Sequence, residues 1–318
     1  MIKVEENKRN IEMIKKTLGS VFMDKLQDPN VIEIMCNSDG SLWIDELGKG
    51  MSKAGSINQY NVQAAINVIA SMLKITATKE TPIIEGEFPL DNSRFAAQLP
   101  PVVAAPTFAL RKKASLVFTL ENYVEKGMMT EHQKDIIKTA IREHKNIVIV
   151  GGTSSGKTTL TNACIDYMSK IANEERIIII EDTGEIQCKA ENSVLFHTSV
   201  YTSITDLLKT TLRMRPDRII IGEVRDHTAL DLLDAWSTGH PGGISTIHAN
   251  NSLQALDRIE GLVSRHNNAP DDKKSVIGNA VDLIINIRKT GTTRKIEEIL
   301  EIERYDKSKN EYVFKYIK

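Results

Sequence analysis

Hydrophobic positions change their spacing several times along the chain, and each change predicts an element. Over residues 8–26, Ile11, Ile14, Leu18, Val21 and Phe22 recur at helical spacing while Glu12, Lys15 and Lys16 fall elsewhere. This predicts a surface helix with one buried stripe, with membrane-surface binding as the lesser alternative. Residues 31–46 read as two strands around a turn at Asn37 to Gly40, and Asn61 to Leu73 returns to helical spacing. From Ile83 to Lys113 short extended runs are punctuated by Pro82, Pro89, Pro100, Pro101 and Pro106, which excludes a long helix. Residues 1–120 therefore read as a small α+β N-terminal domain. Residues 121–135, polar and containing Gly127, read as a linker.

From residue 136 onward short β-branched runs alternate with helical segments, the pattern of parallel strands buried on both faces. The candidate strands are 146–150, 177–181, 194–198, 218–222 and 244–248. After Val281, the runs beginning at Asp282, Arg294 and Tyr312 read as antiparallel strands appended to that core. The fold class expected is α/β, a mainly parallel sheet over 136–318 preceded by the smaller domain.

Composition narrows the function. The chain has 318 residues, with 41 Lys and Arg against 42 Asp and Glu, so no basic excess marks it as a dedicated nucleic-acid binder. Cys36, Cys164 and Cys188 form no C-x-x-C pair, so neither a disulfide framework nor a zinc site is readable, and a reducing cytoplasm fits. The apolar runs fall far short of the ~20 residues that a membrane span requires. The N-terminus is charged from Lys3 with no signal-peptide core. The expectation is a chain not itself inserted in a membrane.

The chemistry centres on GGTSSGKT, Gly151 to Thr158, which satisfies G-x-x-x-x-G-K-[ST] directly after a strand and before a helix. Glycines let successive backbone N–H groups face phosphates, and the helix N-terminus adds partial positive charge. Gly151, Gly152, Thr153, Ser154, Ser155, Gly156, Lys157, Thr158 and Thr159 are the candidate ATP-binding residues. Lys157 is expected to reach the β- and γ-phosphates, and Thr158 to ligate Mg²⁺.

Acids follow at the strand ends. The run Arg218-IIIGEVR ends in Glu223, and Gly222 occupies the place where many P-loop enzymes carry a metal-holding Asp, leaving the metal or water work to Glu223. Glu181 and Glu185 in Glu181-DTGE follow the preceding strand, and one of these glutamates is expected to orient or deprotonate the attacking water. Helix capping by Asp182 or Thr183 is an equal reading of the middle of that cluster. His240 and His248 flank the strand after Glu223, and both are expected at the same sheet edge as γ-phosphate sensors; a satisfied structural histidine is the alternative for each. Of Arg213, Arg215, Arg218 and Arg225, one or two are expected to face the nucleotide or a neighbouring subunit, the others forming salt bridges.

Four boxes in order, Gly151-GTSSGKT, Ile180-EDTGE, Leu212-RMRPDRIIIGEVR and Thr238-GHPGGISTIHAN, resemble the secretion ATPases of type IV secretion and conjugation, closest to those of the TrbB type. The resemblance implies RecA-like P-loop domains in a ring of six, with N-terminal domains as a second tier and ATP between them. It further implies a cytoplasmic motor that docks, through other components of a membrane secretion channel, on the inner face of the cell membrane. Upstream, Ser93 to Lys113 resembles the end of the family's N-terminal domain, and Arg94 and Arg111 match the two arginines that reach the nucleotide there. Pilus-retraction and type II secretion relatives are the alternative; the missing four-cysteine module argues against the latter, and the Pro241-GG insert points to conjugation. A helicase or packaging motor would show a basic track with stacking aromatics, whereas aromatic residues make up 5% of the chain, so no strong direct nucleic-acid binding is expected. A phosphotransferase reading lacks a recognisable acceptor pocket.

Overall fold

The computed structural model describes residues 2–113, 118–199, 201–291 and 293–317. The chain divides into two compact units, residues 1–116 and 117–318.

The first unit is an antiparallel sheet with two helices. Its strands are β1 (Val31–Cys36), β2 (Ser41–Glu46), β3 (Gly50–Ser56), β4 (Ile83–Glu87), β5 (Arg94–Gln98) and β6 (Thr107–Arg111), in the order β3-β2-β1-β6-β5-β4. Alternate residues such as Ile34, Leu42, Ile44, Phe95, Ala97, Phe108 and Leu110 are buried against α1 (Ile2–Gln27) and α2 (Gln59–Met72). That alternation is what a sheet with one covered face requires. Phe22, Phe88, Phe95 and Phe108 meet with ring centroids 5.7–5.9 Å apart. Ile14, Leu18, Phe22 and Leu26 form the buried stripe of α1. Val21, expected on that stripe, is 44% exposed, in a helix interrupted at Gly19 by a φ of 81°.

The second unit is a sheet covered on both faces. Its strands are β7 (Ile147–Val150), β8 (Ile177–Glu181), β9 (Ser193–His197), β10 (Arg218–Ile221), β11 (Ile244–Ile247), β12 (Leu283–Thr290), β13 (Thr293–Asp306) and β14 (Glu311–Ile317). They lie in the order β14-β13-β12-β7-β11-β10-β8-β9. Every residue of β7, β8, β10 and β11 is buried, which is why these strands read as continuous apolar runs. Helices α3 (Leu120–Glu125), α4 (Glu131–Arg142) and α5 (Lys157–Ile171) contribute to the apolar cluster on one face. Helices α6 (Ile204–Thr211), α7 (Thr228–Ser237), α8 (Ser252–Val263) and α9 (Lys273–Ala280) contribute to that on the other.

Two expectations are corrected, and one strand is added. Residues 121–135 are not a linker: α3 and the start of α4 occupy most of them, and Leu120, Tyr123 and Met129 are buried in the core of the second unit. Strand β12 runs parallel to β7, with Leu283 opposite Ile147 and Asn286 opposite Val150, and only β13 and β14 are antiparallel. Strand β3 was not anticipated, because Gly-Met-Ser-Lys-Ala-Gly-Ser carries no alternation and is held by its pairing with β2. Among the described residues no helix is long and apolar enough to cross a membrane, and the three cysteines are free.

Candidate functional site

The carboxyl ends of parallel strands are where an open α/β sheet binds ligands, and the loop Gly151 to Gly156 rises from the end of β7 into α5. Ser154 (φ 56°) and Gly156 (φ 97°) take left-handed conformations that curl the loop. A Cβ on Gly151 would lie 2.3 Å from the Ile287 carbonyl oxygen, so only glycine lets the loop start this close to β12. Lys157, 8% exposed, donates its Nζ protons to the Gly151 and Gly152 carbonyls, both at 3.0 Å, and lies 3.4 Å from His248 Nδ1. The Thr158 hydroxyl donates to Glu185 Oε2 at 3.3 Å. Gly152 and Thr153 are exposed, while Ser155 is buried.

The acids sort into different tasks. Glu181, 4% exposed, accepts the backbone N–H groups of Glu185 (3.1 Å) and Ile186 (2.9 Å) on Oε1, which folds the segment carrying Glu185 back towards Thr158. This side chain also explains the glycine in place of an aspartate: a Cβ on Gly222 would meet Glu181 Cγ at 3.1 Å. Glu223, next in sequence, accepts from Arg225 Nη2 at 2.6 Å on Oε2, and His248 Nε2 lies 2.9 Å from its Oε1. Asp182 accepts from the Thr198 hydroxyl at 3.0 Å and stands 3.8 Å from Arg225.

Electrostatics fixes the protonation of this chain of groups. Burial raises the Glu223 carboxyl, but the hydrogen bond and charge of Arg225, with His248 and Lys157 behind them, outweigh it and hold it below the usual carboxylate value. Burial and the Lys157 charge depress His248 below the usual imidazole value, and Glu223 opposes this only in part. An ammonium has no acceptor, so the Nδ1 facing Lys157 is the unprotonated nitrogen and the proton sits on Nε2, towards Glu223. Lys157, a neutral His248, an ionised Glu223 and Arg225 thus follow one another across the ends of β7, β11 and β10.

His240 is not in this group. It precedes β11, where Ile244 pairs with Ile147 at the start of β7, and its Nδ1 lies 3.0 Å from the Pro216 carbonyl ahead of β10. It belongs to the amino ends of the strands, opposite the phosphate loop. Of the arginine cluster, Arg225 alone is drawn into the chain just described. Arg218 is 1% exposed and bonded to Glu175, Arg213 donates to the Lys209 carbonyl, and Arg215 sits at a left-handed turn.

In the first unit Arg94 and Arg111 are direct cross-strand partners, flanked in register by Glu87 and Glu33. Arg111 Nε lies 3.5 Å from Glu33 Oε1. The two like charges opposite one another are offset within the sheet by these flanking carboxylates.

The oxygen donors beside the loop, the Thr158 hydroxyl with Glu185 and Glu223, suit a hard cation. Among the described residues no group of three His, Cys, Asp or Glu could hold a metal by itself.

A RecA-like sheet with a phosphate loop on a central strand and acids at neighbouring strand ends defines the P-loop class. Within it, the profile described as "Type II/IV secretion system protein" matches residues 18–306, and the chain belongs to that family. The probable conjugal transfer protein TrbB of Sinorhizobium fredii is 45% identical over 305 residues, covering 96% of this chain and 93% of the relative. The type IV secretion system protein VirB11 of Bartonella henselae is 30% identical over 335 residues, covering 91% and 92%. In fold, the chain is similar to the Legionella pneumophila ATPase DotB, with a TM-score of 0.65 at 19% identity over 91% of this chain and 82% of that one.

Proposed function

We propose that the chain is a Mg²⁺-dependent ATPase that works as a ring of six to power a type IV secretion or conjugative transfer apparatus. The observation that carries this reading is the run Lys157–His248–Glu223 at the carboxyl ends of three adjacent strands, beside a phosphate loop. Lys157 exchanges the Gly151 and Gly152 carbonyls for the β- and γ-phosphates of ATP. That movement frees His248 Nδ1, so the imidazole reports the arrival of the γ-phosphate to Glu223. Glu223 then orients the attacking water and takes its proton, while Glu181 holds the segment that brings Glu185 to Thr158. Thr158 and Glu223 are the residues that would hold Mg²⁺, which would supply neutralisation of phosphate charge. Arg94 and Arg111, of the same chain or of a neighbour in the ring, neutralise charge on the transferred phosphoryl group.

Work of this kind is delivered through other components of the channel, at the cytoplasmic face of the membrane, by contacts between proteins. Its first test is the native mass by light scattering at micromolar protein, with and without Mg²⁺ and a non-hydrolysable ATP analogue. A sixfold mass with the analogue is expected. A monomer under both conditions would rule out the autonomous ring.

A further inference from the structure

Strand β12 is paired with β7 as far as Asn286 opposite Val150, then continues to Thr290 past the point where β7 gives way to the phosphate loop. Strand β13 returns antiparallel to it, with Arg294 directly opposite Lys289 and Lys295 opposite Arg288. Arg288 and Lys289 line the cavity beside the loop together with Glu297 and Glu298, and Arg294 touches the loop itself. A Cβ built on Gly156 would lie 2.9 Å from Arg294 Cδ and 3.4 Å from its Nε. Glycine at 156 therefore does two things, allowing the left-handed turn into α5 and letting the arginine stem lie against the loop.

Two other arginines at this end of the sheet, Arg288 and Arg225, are ion-paired. Arg288 stands 3.3 Å from Glu297, and Arg225 2.6 Å from Glu223. Among the described residues Arg294 has no ion pair, though it is only partly exposed. Its nearest charged relation across the ladder, Lys289, has the same sign. The Arg294 charge also favours ionisation of the buried phenol of Tyr123, which burial and Cys164 oppose. A half-buried guanidinium with five donors and no acceptor is costly unless a ligand completes it. Phosphate oxygens match its planar fork.

We infer that Arg294 is a nucleotide-binding residue of this chain, its guanidinium laid along Gly156 to take the α/β-phosphate segment of the bound nucleotide. The segment follows from the loop itself. Backbone N–H groups of the loop cradle the α- and β-phosphates, and the lysine reaches on to the β- and γ-phosphates. Gly156 is the last residue of that cradle before Lys157, so a cation lying on it meets the part of the polyphosphate that ADP and ATP share. Lys289, opposite, adds charge to the same place. The inference rests on the reading of the chain as an ATP-binding protein, and deepens it by naming a contact that does not distinguish substrate from product.

Binding measurements on the full chain test this without turnover. Titration calorimetry with ADP, with a non-hydrolysable ATP analogue and with inorganic pyrophosphate would compare the wild type with Arg294→Ala, Arg294→Gln and Arg294→Lys. Loss of charge-assisted hydrogen bonds is expected to weaken all three ligands together, by roughly tenfold or more, in the alanine and glutamine variants, with partial recovery in the lysine variant. In steady state the KM for ATP should rise by a similar factor while kcat changes by less than about threefold. ADP bound by both variants within twofold of the wild type would overturn the inference. So would weakening of ADP with pyrophosphate unaffected, which assigns Arg294 to the nucleoside, or weakening of the ATP analogue alone, which assigns it to the γ-phosphate. A wild-type chain that binds neither ADP nor pyrophosphate would sink the underlying reading together with this one, whereas binding and hydrolysis that ignore Arg294 would sink this one alone.

Discussion

Replacing Glu223 with glutamine is expected to cut ATP turnover by roughly 10²- to 10⁴-fold, the range that a positioned general base contributes, while leaving ADP affinity within about threefold. Glutamine keeps the volume and the contacts of the chain at the end of β10. What it loses is the negative charge that Arg225 and His248 face from either side, at 2.6 and 2.9 Å. An amide oxygen can still accept from Arg225, but without the charge, and the amide accepts no proton from water. Phosphate binding depends on the loop and Lys157, neither of which the substitution touches. Orthophosphate release and ADP binding measured on the same preparation separate these effects. Turnover within threefold of the wild type would move the proton-accepting role from Glu223 to another carboxylate, with Glu185 the first to examine.

Replacing Arg218 with alanine is expected to cost roughly 3–5 kcal/mol of stability in the second unit, the usual penalty for removing one partner of a buried charge pair. Arg218 is 1% exposed at the start of β10, bonded through Nε to Glu175. Its Nη1 donates to the Ile141 carbonyl at 3.0 Å and the Gly242 carbonyl at 3.3 Å, and Nη2 lies 3.1 Å from His144 Nε2. One guanidinium therefore ties the end of α4, the segment before β8 and the Pro241-GG loop to the amino end of the sheet. Alanine leaves a cavity, a half-buried carboxylate and two carbonyls without their donor. The midpoint of urea unfolding should fall, while ADP binding by folded molecules stays as it was, because the nucleotide site lies at the other end of the strands. A loss below about 1 kcal/mol would show that water replaces the guanidinium at little cost.

The reach of the sequence differs between these two ends. Parallel strands buried on both faces must be apolar at every position, so Ile177 to Ile180 and Ile219 to Ile221 announce themselves, and the phosphate loop is fixed by its glycines and its place between strand and helix. Residues 121–135 failed for a different reason. Their polarity hid two short helices whose signals are local: Thr119 with Asn122 and Thr130 with Gln133 are reciprocal capping pairs. The direction of β12 was also readable in principle, since two helices separate it from β11 and a helical crossover favours a parallel return. His240 was misplaced although chain order alone decides the matter: a residue before a strand lies at its amino end, and one after it, like His248, at the carboxyl end.

Other features of the site could not be seen in one dimension. Glu181 occupies the space that a side chain on Gly222 would need, and this is a relation between two strands. The approach of Arg294 to Gly156 likewise depends on the parallel pairing of β12 with β7. Composition and spacing carry none of these.

The central claim is that ATP is hydrolysed at the loop carrying Lys157. The most direct measurement is orthophosphate release from Mg-ATP by the purified wild-type chain beside Lys157→Ala at equal concentration. Steady release that saturates with ATP and disappears in the alanine variant is the predicted result. Release that persists undiminished in Lys157→Ala would place any hydrolysis elsewhere, and a wild type that binds ATP but releases no phosphate as an assembled ring would contradict the account.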